Sequence, residues 1–390
     1  MRIALFPGRF NPFHNGHRYI VDQASRHFEH VIAAVDMKNH AGLLPDDRLN
    51  LTKYVLHEVP KVSIKPWRGL LSDMALELGA YTVIESTYLN DRSWWGDMPN
   101  TPEYGRLRQA GVKIWTIESP IDVHSTDIRK DCIHLGLIDG LVAPRTKQAC
   151  EEILAQRFVM GVTGSAATGK SWVVKNLENF CANDGIPVTS CDLDELVLEI
   201  LCQRQEPFYA DVRHELNETF QLFASPFGRL DKYSLGQAIH SDPERFSKFS
   251  EILKPALMLR LRQSLPEAKG FVILQSRWLA EANLLSLCNY HVVLVSTSRE
   301  IQAKNLENRG HTDQQVLRRL GGKRSPTKRE LIESQLAKAR YGRFEIFDNY
   351  WDGKSPPSNP GASGRLDEIF GSFYGCGHVN WPQLKAGIKQ

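Results

Sequence analysis

The chain has 390 residues, 42% hydrophobic and 24% charged, with 48 basic residues against 45 acidic ones. That length holds two ordinary domains, each with its own core, and the composition excludes wholesale disorder. A net charge of +3 is too balanced to argue for nucleic acid or a membrane as partner, so any electropositive site must be local. The seven cysteines, Cys132, Cys150, Cys181, Cys191, Cys202, Cys288 and Cys376, are odd in number and never spaced C-x-x-C. A disulfide framework or metal cluster is not expected, and a reducing cytosol fits. No charged-then-apolar leader precedes the first strand and no run approaches ~18 apolar residues, so a soluble, cytoplasmic protein is expected.

A strand is predicted over residues 3–6, followed by Gly8-Arg9-Phe10-Asn11-Pro12-Phe13-His14-Asn15-Gly16-His17 and a helix over 17–27. This strand–loop–helix order places residues 9–15 where a phosphate would meet the free amides of a helix N-terminus. His14 and His17 are three apart, and Gly16 lets backbone approach the phosphates closely. Imidazole donors aimed at an α-phosphate under in-line attack would stabilise the charge gathering on its non-bridging oxygens. Further strands over 31–35, 62–64, 81–84 and 112–116 alternate with helices over 46–57 and 72–78. Lys38, after the second strand, is a candidate phosphate ligand. The paired Trp94 and Trp95 read as core packing or a contact between the halves, with an aromatic wall against a base or an extended arm as the alternative. Beyond the last strand of this set, Ser125 and Thr126 would cap a helix and Arg129 would reach the β- and γ-phosphates.

A polar helical stretch over 147–156 marks the boundary, and the alternation restarts with strands over 158–162, 187–190, 270–275 and 291–296. Between the first of these and a helix over 172–180 lies Gly164-Ser165-Ala166-Ala167-Thr168-Gly169-Lys170-Ser171, which fits G-x-x-x-x-G-K-S without mismatch. In this context the loop amides cradle phosphates, Lys170 bridges β and γ, and Ser171 supplies a Mg²⁺ ligand. Asp192 and Asp194, at the end of the next strand, can accept a hydroxyl proton and help orient Mg²⁺. The basic run over 318–343 reads as a lid over the triphosphate, with Arg319 and Arg340 as candidate phosphate ligands. The fold class is therefore α/β, with two parallel-sheet domains: a Rossmann-like domain over 1–150, a P-loop domain over 157–352 and a loop-rich tail over 353–390 that holds a short helix-like piece over 366–373.

Together the first motif and Ser125-Thr126-Asp127-Ile128-Arg129 resemble the nucleotidyltransferase superfamily. Trp67-Arg68-Gly69-Leu70-Leu71-Ser72-Asp73 is similar to phosphopantetheine adenylyltransferases. Those enzymes carry an Arg-Gly-Leu-Arg element where this chain has Glu85-Ser86-Thr87-Tyr88. Gly8-Arg9-Phe10 and Leu141-Val142-Ala143-Pro144 also look like nicotinamide mononucleotide adenylyltransferases. The second half resembles dephospho-coenzyme A kinase through Asp192-Leu193-Asp194, the segment 228–239, Asp242-Pro243-Glu244, Ile252-Leu253-Lys254-Pro255 and Asp348-Asn349. Its departures are the P-loop, glycine-rich in the family, and Arg277-Trp278-Leu279 where the family has Pro-Leu-Leu.

The two resemblances occur fused in this order in bifunctional coenzyme A synthases. They imply ATP and Mg²⁺, with 4′-phosphopantetheine and dephospho-coenzyme A as small-molecule substrates. His14, His17 and Arg129 would serve adenylyl transfer, with Gly8, Arg9, Phe10, Lys38, Ser125 and Thr126 around its ATP. Lys170, Ser171 and Asp192 or Asp194 would serve the kinase step. The alternatives are a mononucleotide adenylyltransferase fused to a ribosyl kinase, and a nucleotide sensor with a degenerate first domain. The residues leave the oligomeric state open.

Overall fold

The computed structural model describes residues 2–88, 102–221, 239, 242–266, 268–320, 326–350 and 360–374. It divides into two compact units, Met1–Ile133 with Leu137–Leu154, and His134–Gly136 with Ala155–Gln390. The paired tryptophans, the segment 228–238 and residues 321–325 of the basic run lie outside the described residues.

In the first unit the order is β1 (Ile3–Gly8), α1 (Asn15–His27), β2 (His30–Asp36), α2 (Pro45–Leu56), β3 (Val62–Trp67), α3 (Leu71–Glu77) and β4 (Thr82–Tyr88). Then come α4 (Pro102–Gln109), β5 (Lys113–Ser119), α5 (Ser125–Asp131) and α6 (Pro144–Ile153). The five strands pair in the order β3-β2-β1-β4-β5, every pair parallel. Ala4, Leu5 and Phe6 of β1 are buried on both faces, as are Val31 to Val35 of β2, which is why these strands read as unbroken apolar runs. The chain leaves β1 in one direction to β2 and returns on its other side to β4. That reversal opens a crevice at the strands' carboxyl ends.

The polar helical stretch expected at the boundary belongs to α6. Lys147, Gln148, Glu151 and Glu152 of α6 are all buried. Lys147 Nζ meets Asp139 at 3.2 Å and Glu151 at 3.3 Å, so the helix buries its charges as partners.

The second unit runs β6 (Arg157–Thr163), α7 (Lys170–Asn183), β7 (Val188–Asp192), α8 (Leu193–Cys202), α9 (Pro207–Phe220), α10 (Pro243–Ser264) and β8 (Gly270–Gln275). A 3-10 turn, Leu285–Cys288, leads to β9 (His291–Ser296), α11 (Arg299–Glu307), α12 (Asp313–Leu320), α13 (Lys328–Ala339), β10 (Arg343–Asp348) and α14 (Pro360–Tyr374). The strands again pair in parallel, in the order β10-β9-β6-β8-β7. The P-loop strand β6 is central, and β8 separates it from β7.

Two expectations for this unit are corrected. The helical piece expected in the tail over 366–373 is longer and belongs to the core: α14 buries Leu366, Ile369, Phe370 and Phe373 among residues that include Val173, Leu177 and Phe271. The basic run is not a lid along its whole length. Its part from Lys328 is the crossover helix α13, fixed by Ile332 in the core, and it carries the chain from the carboxyl to the amino edge of the sheet. Arg340, at the C-cap of α13, therefore lies just before the start of β10, at the edge away from the P-loop. No helix among the described residues is long and apolar enough to cross a membrane.

Candidate functional sites

The first site is built on the N-terminus of α1. His14 is its N-cap and its Nδ1 accepts the backbone N–H of His17 at 3.4 Å, while His17 Nδ1 accepts the N–H of His14 at 3.3 Å. The two rings stack with centroids 3.7 Å apart. A Cβ on Gly16 would lie 3.1 Å from the His14 ring and 3.3 Å from the Ile121 carbonyl, so the glycine makes room for the imidazole.

Each Nδ1 acts as an acceptor, so the neutral tautomer with hydrogen on Nε2 is the one that fits, leaving Nε2–H as the free donor of each ring. Burial, followed by the charges of His17 and His124, holds His14 well below the usual imidazole range, and burial pushes His17 down to about 3. His14 is 2% exposed, and His17 leans on Phe10 and Phe13 at 5.0 and 5.3 Å between centroids. The expected free amides are partly taken: Asn15 N–H donates to the Leu141 carbonyl and that of His17 to His14.

Cations supply what those amides do not. Arg129 donates to the Asn11 carbonyl at 2.5 Å, the Ser125 carbonyl at 3.2 Å and the Thr126 hydroxyl at 3.2 Å. Burial, followed by the charge of Arg9, draws its pKa down. Exposed Lys38 gives its backbone N–H to Asp36 at 2.9 Å. Ser125 and Thr126 do not cap α5: the N-cap is His124, without a side-chain bond, and the Ser125 hydroxyl donates to the Pro12 carbonyl. The cap reading fails because that hydroxyl is spent tying α5 to the motif loop.

Two residues that the sequence did not flag organise this loop. Asn11 bridges to the Ala41 carbonyl and the Leu43 N–H, both at 2.9 Å. Arg48, fully buried on α2, donates to the carbonyls of Arg9 and Lys38. Gly8 cannot carry a Cβ because the Phe10 ring fills that space, and Phe10 itself sits at φ 45°. A cavity of about 40 Å³ lies beside the switch point, lined by Phe6, Pro7, Ser86, Glu85, Glu103 and Tyr104 among others. Its lining includes the carboxylates of Glu85 and Glu103, and Glu85 opens the Glu85-Ser86-Thr87-Tyr88 segment that stands where the adenylyltransferases carry Arg-Gly-Leu-Arg.

The second site is the loop between β6 and α7. Side chains outside the loop hold three of its carbonyls: Gln302 that of Ala166 (2.5 Å), Asn305 that of Ala167 (3.1 Å) and Asn349 that of Thr168 (2.9 Å). Pinning carbonyls outward turns the peptide N–H groups the other way, which is what an anion requires. Gly164 (φ 156°) and Gly169 (φ 92°) make the turns, and a Cβ on Gly169 would strike the Asn349 amide. Ala167 adopts φ 62° with its methyl packed on Leu306 and Val316.

Lys170 Nζ curls onto the Gly164 and Ser165 carbonyls, 3.0 Å from each. Burial, against the pull of Asp194 and with the charges of Lys328 and Arg277, lowers it to about 8. Gln275 donates to Asp192 at 2.6 Å and reaches Ser171 Oγ at 3.4 Å, so both oxygen donors share one neighbour. Asp192 also caps α8 by accepting the Asp194 N–H, and burial and then Asp194 raise its pKa. Asp194 accepts the Ser276 hydroxyl at 2.7 Å and the Arg277 N–H at 3.3 Å. Gln275, Ser276, Arg277, Lys328 and Asn349 went unassigned in the sequence, although all but Lys328 sit at or just past the carboxyl end of a strand. The side chain of Arg319 lies outside the described residues.

Comparisons with known proteins divide the chain as the sheets do. A family profile described as cytidylyltransferase-like matches residues 5–131, and one described as dephospho-CoA kinase matches 158–336. The chain is similar to the dephospho-CoA kinase of Listeria monocytogenes, 32% identical over 199 residues, covering 49% of this chain and 88% of that protein. It is similar to that of Enterococcus faecalis, 30% identical over 167 residues, covering 42% and 78%. An uncharacterised Schizosaccharomyces pombe protein is 28% identical over 160 residues, covering 38% and 61%.

Proposed function

The chain belongs to the dephospho-CoA kinase family and carries a cytidylyltransferase-like domain ahead of the kinase, and from this premise we propose that it makes coenzyme A from 4′-phosphopantetheine in two ATP-dependent steps. In the first, a phosphate oxygen of the acceptor attacks the α-phosphorus of ATP in line as the bond to the pyrophosphate oxygen breaks. The Nε2–H groups of His14 and His17 donate to the non-bridging oxygens, and Arg129 with Arg9 holds the leaving pyrophosphate. Gly8, Phe10, Lys38, Ser125 and Thr126 shape that pocket. No proton transfer and no covalent intermediate are required.

In the second step the ribose 3′-hydroxyl of dephospho-coenzyme A attacks the γ-phosphorus of a second ATP, and ADP leaves. The hydroxyl proton passes to Asp194, whose carboxylate is already oriented by Ser276 and the Arg277 N–H. The amides from Gly164 to Ser171 and the Lys170 ammonium hold the phosphates. Ser171 Oγ and the Asp192 carboxylate are hard oxygen donors on one shared neighbour and fit Mg²⁺, which would neutralise phosphate charge there.

The observation that carries the reading is the P-loop, its carbonyls held outward and Lys170 beside two aspartates, within the segment that matches the kinase family. Incubating the full chain with 4′-phosphopantetheine and α- or γ-labelled ATP tests it. Pyrophosphate and labelled dephospho-coenzyme A should appear first, then 3′-phosphorylated product. Adenylylation of nicotinamide mononucleotide without any of phosphopantetheine would overturn the first step.

A further inference from the structure

We propose that Arg277, laid on the Trp278 ring, binds the phosphate carried at C5′ of the kinase acceptor and so selects phosphorylated over free ribonucleosides. This deepens the kinase reading above and rests on it. Arg277 stands two residues past the end of β8, between the strand that carries the P-loop and the strand that delivers Asp192. Its Nε is 3.4 Å from Asp194 Oδ2.

That guanidinium is not needed to aim the carboxylate. Ser276 fixes one oxygen and the Arg277 backbone N–H the other. An ion pair with the arginine side chain 40% exposed adds little stability. The side chain is therefore spare for a second anion beside Asp194.

Its surroundings suit such a task. The guanidinium lies 5.1 Å from the Trp278 ring centroid and the Lys328 ammonium 5.7 Å from the same ring. Lys328 also holds the Arg277 carbonyl at 2.5 Å and pairs with Glu281, while Phe246 packs 5.0 Å from Trp278. An exposed arginine fixed in this way loses little freedom on binding. A 3′-hydroxyl seated on Asp194 places the C5′ substituent, carried by the adjacent ring carbon, within reach of the neighbouring guanidinium. The acceptor phosphate there would give Arg277 a counter-ion beside Asp194. The segment that is Pro-Leu-Leu in the family resembled supplies no such cation, so the feature belongs to this chain.

The test uses full-length wild type, Arg277→Gln and Arg277→Lys, with dephospho-coenzyme A as acceptor and AMP or adenosine as competing ligand. In Arg277→Gln the KM for dephospho-coenzyme A and the inhibition constant of AMP should each rise on the order of 30-fold, as expected for a lost charge-assisted bond. The KM for ATP and the inhibition constant of adenosine should stay put, and Arg277→Lys should recover most of the loss. Equal weakening of AMP and adenosine, or a loss in kcat alone, would overturn the proposal by giving Arg277 a structural or γ-phosphate role. A wild type that phosphorylates no ribose 3′-hydroxyl would instead sink the kinase reading itself.

Discussion

His14 and His17 cap one helix with each other's rings, and this decides their ionisation. A histidine whose folded pKa is depressed destabilises the fold in acid, because the unfolded chain binds the extra proton. With His17 at about 3 against 6.5 in the unfolded state, the first unit should lose stability as pH falls from about 6.5 towards 3. Adenylyl transfer should show no histidine limb between pH 6 and 8, and a bell centred there would contradict the neutral pair. Replacing His17 with Ala removes half of the reciprocal cap, costing about 1 kcal/mol of stability. It also removes a transition-state donor, lowering kcat by roughly 10²–10³.

Lys170 carries the same sign in the second unit, in a higher pH window. Its pKa is depressed to about 8, so below that pH the ammonium is charged in both states and penalises the folded one. Between pH 8 and 10.5 that penalty is relieved as pH rises. Lys170→Met should therefore abolish phosphorylation while raising the ligand-free midpoint of the second unit by about 2–4 °C. A lowered midpoint would show that the Gly164 and Ser165 carbonyls compensate its burial.

Among elements, the strands were legible because both sides of each central strand are buried, which leaves an apolar run that few other structures produce. α14 was legible only as a short helix-like piece. Its opening Pro360-Gly361-Ala362-Ser363-Gly364 has poor helix propensity, and packing against Phe180 and Phe271 outweighs it. Truncation after residue 359 removes four buried apolar side chains, each worth about 1.5–3 kcal/mol. It should unfold the second unit while leaving phosphopantetheine adenylylation measurable, and Phe370→Ala alone should cost about 3–5 kcal/mol by denaturant melt. Arg340 was misplaced for a topological reason: charge along a run does not reveal where a crossover helix turns the chain to the other edge of its sheet. The motifs survived that limit, since a P-loop is defined by local backbone. The clamping roles of Asn11, Gln275 and Asn349 escaped notice because the partners that fix them lie between 30 and 181 residues away, and that of Arg48 because it reaches Arg9, 39 residues back.

For the molecule as a whole, two sheets each close around residues of their own unit, so the activities should separate. Lys170→Ala should accumulate dephospho-coenzyme A with pyrophosphate release intact, and His17→Ala should still phosphorylate added dephospho-coenzyme A; product chromatography reads both. The clamp on the second loop also bears on the order in which the protein matures. Ala166, Ala167 and Thr168 take their shape from Gln302, Asn305 and Asn349, all of which leave the ribosome well over a hundred residues later. A nascent chain halted before residue 349 would hold a complete first pocket and a slack second one. At about 5–20 residues per second, the kinase would gain its grip on nucleotide some seconds or tens of seconds after its neighbour.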